Sequence, residues 1–585
     1  MLVAAANPPG WLWASEAGGY DALSYHLQLP REWLAMGRIQ PLAHNVYSFL
    51  PSYVESAFVH LAALLGRGRA GGGGGAGGGG LLAGDGSALL ACQFLSACFA
   101  LFAAWMVWRL ADLLRPGLGV WAAVALLATP WVVVTGSLAY NETAVLALGA
   151  AALLAALDVA LASAGRGSGW RGGLLAGTLV GVACGCKPTA LFLVAPGVAA
   201  ALVLFTPRTA AVRALASAAI AGTIAVAPWL IRNYLYVGNP VFPFAAQVLG
   251  HAHWSPEQVS RYAAAHQFQG NLLARLRLLV LPDSGSGLGG TGHRGLLHPQ
   301  WFTFFPVVAA AGAMLARRAV SAPVRRAAVV MAVAAGLGLG GWLLATHIQS
   351  RFLLPLAVPG VVLIALAAGE VRRTAIPAAM MASLSVASVW NFWCQPGGEW
   401  IGGGDRAGAP NALLVGGVGA LTGEAARRPL EAAKAEERAR FLRECSLPVF
   451  VNLAAPPGSG VLLVGSATPL YYTGRVAYAT TWDESLLARA MRRHPGDPGA
   501  WARDLAALGV GVLVVDEGEL ARLSASGWLD PILQPEALLG FLRGYARPIR
   551  AEGSIGVFEL VPSGLLPVPG TAPPGPSPSP PASKP

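Results

Sequence analysis

Tyr20-Asp21-Ala22-Leu23-Ser24-Tyr25-His26-Leu27-Gln28-Leu29-Pro30, continuing through Arg31-Glu32-Trp33-Leu34-Ala35-Met36-Gly37-Arg38, is a short amphipathic stretch that carries an acid and a histidine. Its setting decides how it is read. The 585-residue chain is 55% hydrophobic and only 12% charged, too apolar for an ordinary soluble protein. A polytopic α-helical membrane protein is expected, and a segment of this kind then lies flat at a membrane face, with Asp21 beside the bilayer and close to whatever the transmembrane body binds.

The net charge of +11 does not point to nucleic acid, because only Lys187, Lys434 and Lys584 are lysines and the arginines are scattered through short loops. The cysteines Cys92, Cys98, Cys184, Cys186, Cys394 and Cys445 mostly fall in apolar runs, and Cys184-Gly185-Cys186 is too tight for an ordinary disulfide or zinc spacing. Residues 1–20 have neither the basic leader nor the apolar core of a secretory signal. If residues 1–60 lie outside the cytoplasm, a further transmembrane helix is expected upstream of them.

Outward from the opening stretch, Tyr47 to Leu65 reads as an interfacial helix or a short span, and Arg67 to Gly80 is almost pure glycine, a flexible insert. About ten apolar runs of near-spanning length follow, at 87–108, 118–136, 142–164, 171–187, 188–205, 214–232, 301–317, 326–346, 352–369 and 374–393. Every second loop is basic (Arg109 and Arg115, Arg166 and Arg171, Arg208 and Arg213, Arg317 to Arg326, Arg372 and Arg373), which places those loops in the cytoplasm and the others outside. After residue 394, charged helical stretches alternate with apolar runs at 461–464, 512–515 and 556–560, the pattern of a small soluble α/β domain. The expected organisation is a first extracytoplasmic loop with interfacial helices (1–66), a Gly-rich insert (67–86), a transmembrane body (87–395), an extracytoplasmic α/β domain (396–562) and a disordered Pro/Ser-rich tail (563–585).

Several side chains are candidates for chemistry. Asp21 is either a helix N-cap or a general base that takes a proton from an acceptor hydroxyl, and the two roles are compatible. Glu142 is either a solvated turn or cap residue, or a group that orients an acceptor or binds a metal with Asp21. Lys187, Arg232 and Arg351 break the inside bias of the cations. Each alone is explained by snorkelling to lipid headgroups, whereas together they make an anion site for a lipid-borne phosphate. His26, His251, His253 and His347 read more readily as interface or loop residues than as catalysts. Gly417-Val418-Gly419-Ala420-Leu421-Thr422-Gly423 has the wrong spacing for a dinucleotide fingerprint and no acidic partner.

The run from Tyr20-Asp21 to Leu29-Pro30, with Gly37-Arg38, Tyr47, Pro51 and Glu55, resembles the first outer loop of the C-type (GT-C) membrane glycosyltransferases. The nearest branch is the bacterial one related to protein O-mannosyltransferases, the lipid A aminoarabinose transferase and the rhizobial core-sugar transferases. Ala139-Tyr140-Asn141-Glu142, Lys187-Pro188-Thr189, Pro228 to Tyr234 with Gly238 to Pro243, Ser350 to Pro355, and the region from Asn452 to Tyr472 extend the resemblance over nearly the whole chain.

The resemblance implies inverting transfer of a sugar from a polyprenyl-phosphate donor to a glycan, lipid or protein acceptor on the extracytoplasmic side of a bacterial plasma membrane. It puts Asp21 at the position of the catalytic aspartate and Glu142 in the second acidic motif. Tyr25, His26, Lys187, Arg232, Asn233 and Arg351 are then expected to line the substrate cleft. No cofactor is implied, and a divalent cation has only the Asp21 and Glu142 carboxylates to take it. The family's first transmembrane helix, just before the aspartate loop, is not in the sequence, and the glycine run enlarges a loop that is usually compact. The alternatives are a non-catalytic transporter or binder of lipid-linked glycans, and an assembly subunit that uses the soluble domain for partners.

Overall fold

The structure is a computed structural model and describes residues 1–10, 12–13, 16, 19–66, 81–82, 86–161, 169–267, 270–279, 300–317, 320–370 and 417–564. The run at 374–393, most of the glycine insert, the boundary at 396 and the tail beyond 564 lie outside the described residues. The chain divides into two compact units. The first comprises Met1–Leu453 and takes back Ala467–Thr473; the second comprises Ala454–Ser466 and Gly474–Pro585.

The first unit is helical. Among the described residues, five helices are long and apolar enough to cross a membrane: Ser87–Leu114, Glu142–Leu161, Arg208–Val237, Ala322–Ala345 and Ser350–Glu370. A sixth span is made if Gly119–Leu127 and Pro130–Ser137, bent by 66° from each other, count as one. Pro130 explains the break, since it lacks the N–H that would continue the ladder and biases the preceding residue away from helix. The run at 118–136 is therefore two bent helices and not one continuous helix. The run at 188–205 is likewise two short pieces, Ala190–Leu193 and Ala195–Val203, with Pro196 at the start of the second. Gly169–Cys186 and Gln300–Arg317 are helices of 18 residues near their expected positions. The first is rich in glycine and the second is bounded by Gln300 and Arg317, so neither reaches the apolarity of the five.

That glycine content has a packing reason. Gly173, Gly177 and Gly181, four apart, face the long helix Arg208–Val237 so closely that an added Cβ would stand 2.2, 2.1 and 2.3 Å from the carbonyl oxygens of Ala214, Ala218 and Gly222. Small residues at four-residue spacing let two backbones meet, as membrane helices require when no hydrophobic drive separates lipid from protein. The opposite side of Arg208–Val237 leaves Ile220, Ile224, Ile231 and Leu235 more than half exposed, a surface suited to acyl chains. The protein is a multi-pass membrane protein.

The opening stretch folds as expected for an amphipathic segment. A π-turn over Ala22–His26 runs into the helix Gln28–Met36, which buries Leu29 and Trp33 and ends at Gly37 in the left-handed conformation (φ 68°). Arg31 donates to the carbonyls of Leu470 (2.9 Å) and Tyr472 (2.6 Å), and the Tyr471 hydroxyl donates to the Pro9 carbonyl (2.7 Å). These bonds explain why 467–473 belongs with the first unit. The stretch from 47 to 65 resolves into a 3-10 turn, Val46–Phe49, and a 14-residue helix, Tyr53–Gly66, too short to span a bilayer upright.

The second unit is a five-stranded sheet: β1 (Gly460–Val464), β2 (Val476–Ala477), β3 (Val510–Asp516), β4 (Ala546–Glu552) and β5 (Ile555–Leu560), in the order β2-β1-β3-β5-β4. β1 pairs parallel to β2 and β3, while β5 pairs antiparallel to β3 and β4. The buried faces of β1 and β3 pack with Leu487, Trp501, Leu505 and Phe541 from the helices Leu486–Arg493, Pro498–Ala507 and Pro535–Tyr545. The apolar runs at 461–464, 512–515 and 556–560 are β1, β3 and β5. β4 is an edge strand whose Arg547, Pro548 and Arg550 disguise it as loop, the composition that edges use against unwanted pairing. Gly417–Thr422, the glycine-containing run set aside above, is a helix in the first unit.

Candidate functional site

Three local features of the first unit converge on one guanidinium. The first is the π-turn: Asp21 occupies its N-cap position, yet its side chain makes no capping bond and turns instead to Arg351. The second is the start of the helix Glu142–Leu161, where Glu142 is 4% exposed and stands at the positive end of the helix dipole. The third is the 3-10 turn Ser350–Leu356, fixed by the Ser350 hydroxyl, which accepts the indole N–H of both Trp131 and Trp301 at 3.0 Å. That anchoring aims the adjacent Arg351 into the cluster.

Arg351 pairs with Asp21 and Glu16 through its two terminal nitrogens, and its Nε lies 3.2 Å from Glu142 Oε1. The same Glu142 oxygen accepts from Lys187 Nζ at 2.5 Å. Lys187 gets there because the helix Gly169–Cys186 stops before Pro188, and because Asn141 Nδ2 donates to the Cys186 carbonyl (2.9 Å), tying the end of one helix to the start of the other. Lys187 also sits over the Phe352 ring at 4.7 Å, and Arg351 over the Tyr140 ring at 5.3 Å. Two cations thus face three carboxylates in a cluster whose side chains are at most 15% exposed.

Burial pushes the Asp21 carboxyl above its ordinary range. The charge of His26, a hydrogen bond from Tyr25 and the charge of Lys187 pull it back, and Glu142 adds to the rise. The phenols of Tyr25 and Tyr140 are pushed well up by burial and by the Asp21 and Glu142 carboxylates, so both are hydroxyl donors at any working pH. Tyr25 stacks on Tyr47 (4.4 Å) and leans on His26 (4.2 Å). His26 Nδ1 meets Glu55 Oε1 at 2.5 Å.

Of the residues expected in the site, Asp21, Tyr25, His26, Glu142, Lys187 and Arg351 come together. Arg232 and Asn233 make their hydrogen bonds outside this carboxylate cluster. Arg232 donates to the carbonyl of Ser48 (2.9 Å) and to Asn233 Oδ1 (2.9 Å), and Asn233 Nδ2 donates to the Phe49 carbonyl (2.7 Å). They clamp the 3-10 turn Val46–Phe49 through Arg232 Nε and Nη2 and Asn233 Nδ2, while Arg232 Nη1 is buried and makes no hydrogen bond. Glu16, Glu55 and Tyr140 join the expected residues in and around the cluster. Glu55 and Tyr140 lie within the motifs that resemble the GT-C loops; Glu16, an acid five residues before Asp21, lies in none. Among the described residues no group of three or more His, Cys, Asp and Glu forms a metal-ligand set, and the Arg351 guanidinium contacts both Asp21 and Glu142, the pair a divalent cation would use.

The fold has clear counterparts. ArnT from Cupriavidus metallidurans in the apo state superposes with a TM-score of 0.54 at 14% identity, covering 96% of each chain, and ArnT bound to undecaprenyl phosphate superposes with a TM-score of 0.53 at 13% identity, covering 95% of each. The oligosaccharyltransferase AglB from Archaeoglobus fulgidus, in complex with an inhibitory peptide and a dolichol-phosphate, gives a TM-score of 0.47 at 14% identity over 95% of this chain and 73% of its own. The chain has the fold of the GT-C membrane glycosyltransferases. A family model described as a domain of unknown function, DUF8201, matches residues 165–271. No curated protein sequence matches the chain.

Proposed function

We propose that this protein transfers a sugar from a polyprenyl-phosphate-linked donor to an acceptor hydroxyl on the extracytoplasmic side of a bacterial plasma membrane. The observation that carries the reading is the meeting of Asp21 and Glu142 with Arg351 and Lys187 in one buried cluster. It is supported by a fold shared with an enzyme whose structure holds undecaprenyl phosphate.

In the proposed step Asp21 takes the proton of the acceptor O–H. The freed oxygen lone pair attacks the anomeric carbon, and the bond from that carbon to the phosphate oxygen breaks, the electron pair leaving with the phosphate. Arg351 and Lys187 donate to the phosphate oxygens as charge builds on them, the guanidinium in a two-pronged contact. Glu142 holds both cations in place between turnovers. Because Arg351 is already engaged by Glu16 and Asp21, the incoming phosphate replaces carboxylates as its partner, and this exchange frees Asp21 to act as base.

The test is product analysis in membrane vesicles containing the protein, supplied with radiolabelled polyprenyl-phosphate sugars extracted from the host. The proposal requires loss of the label from the lipid, its appearance in an acceptor and release of free polyprenyl phosphate. Movement of the intact lipid-linked sugar across the membrane, with the sugar-phosphate bond unbroken, contradicts it.

A further inference from the structure

The second unit has a cleft of its own that the transfer step leaves unused. β1 lies between β2 and β3, all three parallel, so the chain leaves β1 towards one side and later returns on the other. At such a switch point the carboxyl ends of the strands open a crevice, where parallel sheets hold their ligands. A cleft of about 450 Å³, counted with its open mouth, lies at those ends. That is within the range of roughly 300–1,000 Å³ typical of small-molecule sites. Its walls are the end of β1 at Val464 and Gly465, the segment after β2 from Ala479 to Ser485, and the helix Glu517–Ala525 that follows β3. Gly465 is left-handed (φ 89°), and a Cβ there would stand 2.8 Å from the Asp516 carbonyl oxygen, so glycine is what lets β1 end this close to that helix. Trp482 packs on Trp528 with 5.6 Å between ring centroids, which braces the segment after β2 against the stretch carrying Leu529 and Asp530.

The lining sets the chemistry of the occupant. Leu520, Leu523, Leu529 and Leu533 give it an apolar part, and Thr480, Thr481, Asp483 and Asp530 a polar one. Asp530 is 6% exposed; its Oδ1 accepts from Arg492 Nη2 (2.6 Å) and from the Ile532 N–H (3.2 Å), whereas its Oδ2 is buried and makes no hydrogen bond. Burying a carboxylate oxygen unpaired is costly enough to mark a place for a donor from outside the protein. Asp483, also buried, is aligned by the Thr480 hydroxyl, which donates to its Oδ2 at 2.6 Å. Among the described residues no lysine or arginine lines the cleft, and the start of the helix Glu517–Ala525 is already capped by Asp516, which accepts from the Glu519 N–H, so an anion finds nothing to hold it. Arg492 balances the Asp530 charge from outside the lining, which leaves a demand for hydrogen-bond donors rather than for a cation. We infer that this cleft binds one saccharide unit, whose hydroxyls donate to Asp530 Oδ2 and to Asp483 while the C–H face of the ring lies against the leucines. The site is additional to the transfer reaction and does not depend on it.

The test is saturation-transfer NMR on the full-length protein in detergent with free D-glucose, D-mannose, D-galactose, L-rhamnose and D-arabinose, each added alone. Asp530→Asn keeps an oxygen for Arg492 and the Ile532 N–H and turns the idle acceptor into a donor. Ala479→Phe fills the cleft from a half-buried position on its wall. Asp21→Asn is the control for sugar held at the transfer site. At least one sugar is expected to give a signal in the unmutated protein and in Asp21→Asn, with affinity about tenfold or more weaker in both cleft variants, the worth of a hydrogen bond to a charged group. No signal from any of the five sugars overturns the inference. So does a signal that persists in either folded cleft variant, or one that vanishes in Asp21→Asn and therefore belongs to the transfer site. Should Asp530→Asn fail to melt cooperatively, Ala479→Phe decides. Because the readout is binding of free sugar and not transfer, failure of either reading leaves the other standing.

Discussion

Removing the Arg351 side chain is the harshest test of the cluster. Arg351→Ala takes away the partner of Glu16 and Asp21 and the Nε that stands 3.2 Å from Glu142, leaving Lys187 as the one cation beside three carboxylates. The Arg351 side chain is 12% exposed, so water offers little compensation. Removing one member of a buried ion pair costs roughly 3–5 kcal/mol, because the surviving charge stays buried and unpaired.

The cost has a pH signature with a definite sign. Burial already raises the Asp21 carboxyl, and loss of the guanidinium raises it further, so the folded variant binds a proton more readily than the unfolded chain does. The deficit is therefore smallest at low pH, where the carboxyl is neutral in both states, and grows as pH rises through the folded value. Thermal melting of the detergent-solubilised protein at about pH 5 and pH 8 reads this directly, with the larger drop expected at the higher pH. An equal drop at both, or none, refutes the claim that Arg351 neutralises these carboxylates. Arg351→Lys separates charge from shape: it keeps the cation but cannot reach Asp21 and Glu16 together, and it is expected to recover part of the stability and little of the transfer rate.

Further outcomes follow from the same geometry. Lys187→Met removes the 2.5 Å contact to Glu142 and a donor to the leaving phosphate, and should lower the transfer rate on polyprenyl-phosphate sugars by about ten- to a hundredfold, the worth of a hydrogen bond to a charged group. The rate should fall on acidification through a pKa above the ordinary aspartate value of about 3.9, because Asp21 acts only when deprotonated and burial raises it. A profile flat down to about pH 4 contradicts that assignment. Gly177→Leu puts a side chain where a Cβ already stands 2.1 Å from the Ala218 carbonyl oxygen, and should lower the melting temperature by the equivalent of about 1–3 kcal/mol. Gly312→Ala, where nothing lies within 4 Å, serves as the neutral or slightly stabilising control.

Much of this architecture is legible in the residues because lipid and sheet both impose simple patterns. Apolar runs long enough to span mark the five principal helices, and β1, β3 and β5 stand out as short Val/Leu-rich runs. What escapes is set by residues whose effect is local and geometric. Pro130 and Pro196 break two runs that read as continuous, and β4 carries too many arginines to look like a strand. In the site, Lys187, Arg232 and Arg351 share one signature, a cation out of place at a helix end. Only the fold distinguishes them, since Arg351 and Lys187 meet Glu142 while Arg232 donates to the carbonyl of Ser48 and to its neighbour Asn233. Glu16 escapes because its partner lies 335 residues away, beyond any periodicity.

The most direct test of the whole account is the release of free polyprenyl phosphate by purified protein carrying Asp21→Asn, measured beside the unmutated chain with the same radiolabelled lipid-linked sugars. The account predicts that the variant folds, still binds the lipid through Arg351 and Lys187, and releases none above background. Release at the unmutated rate would show that the proton leaves the acceptor by another route and that Asp21 only holds Arg351 in place.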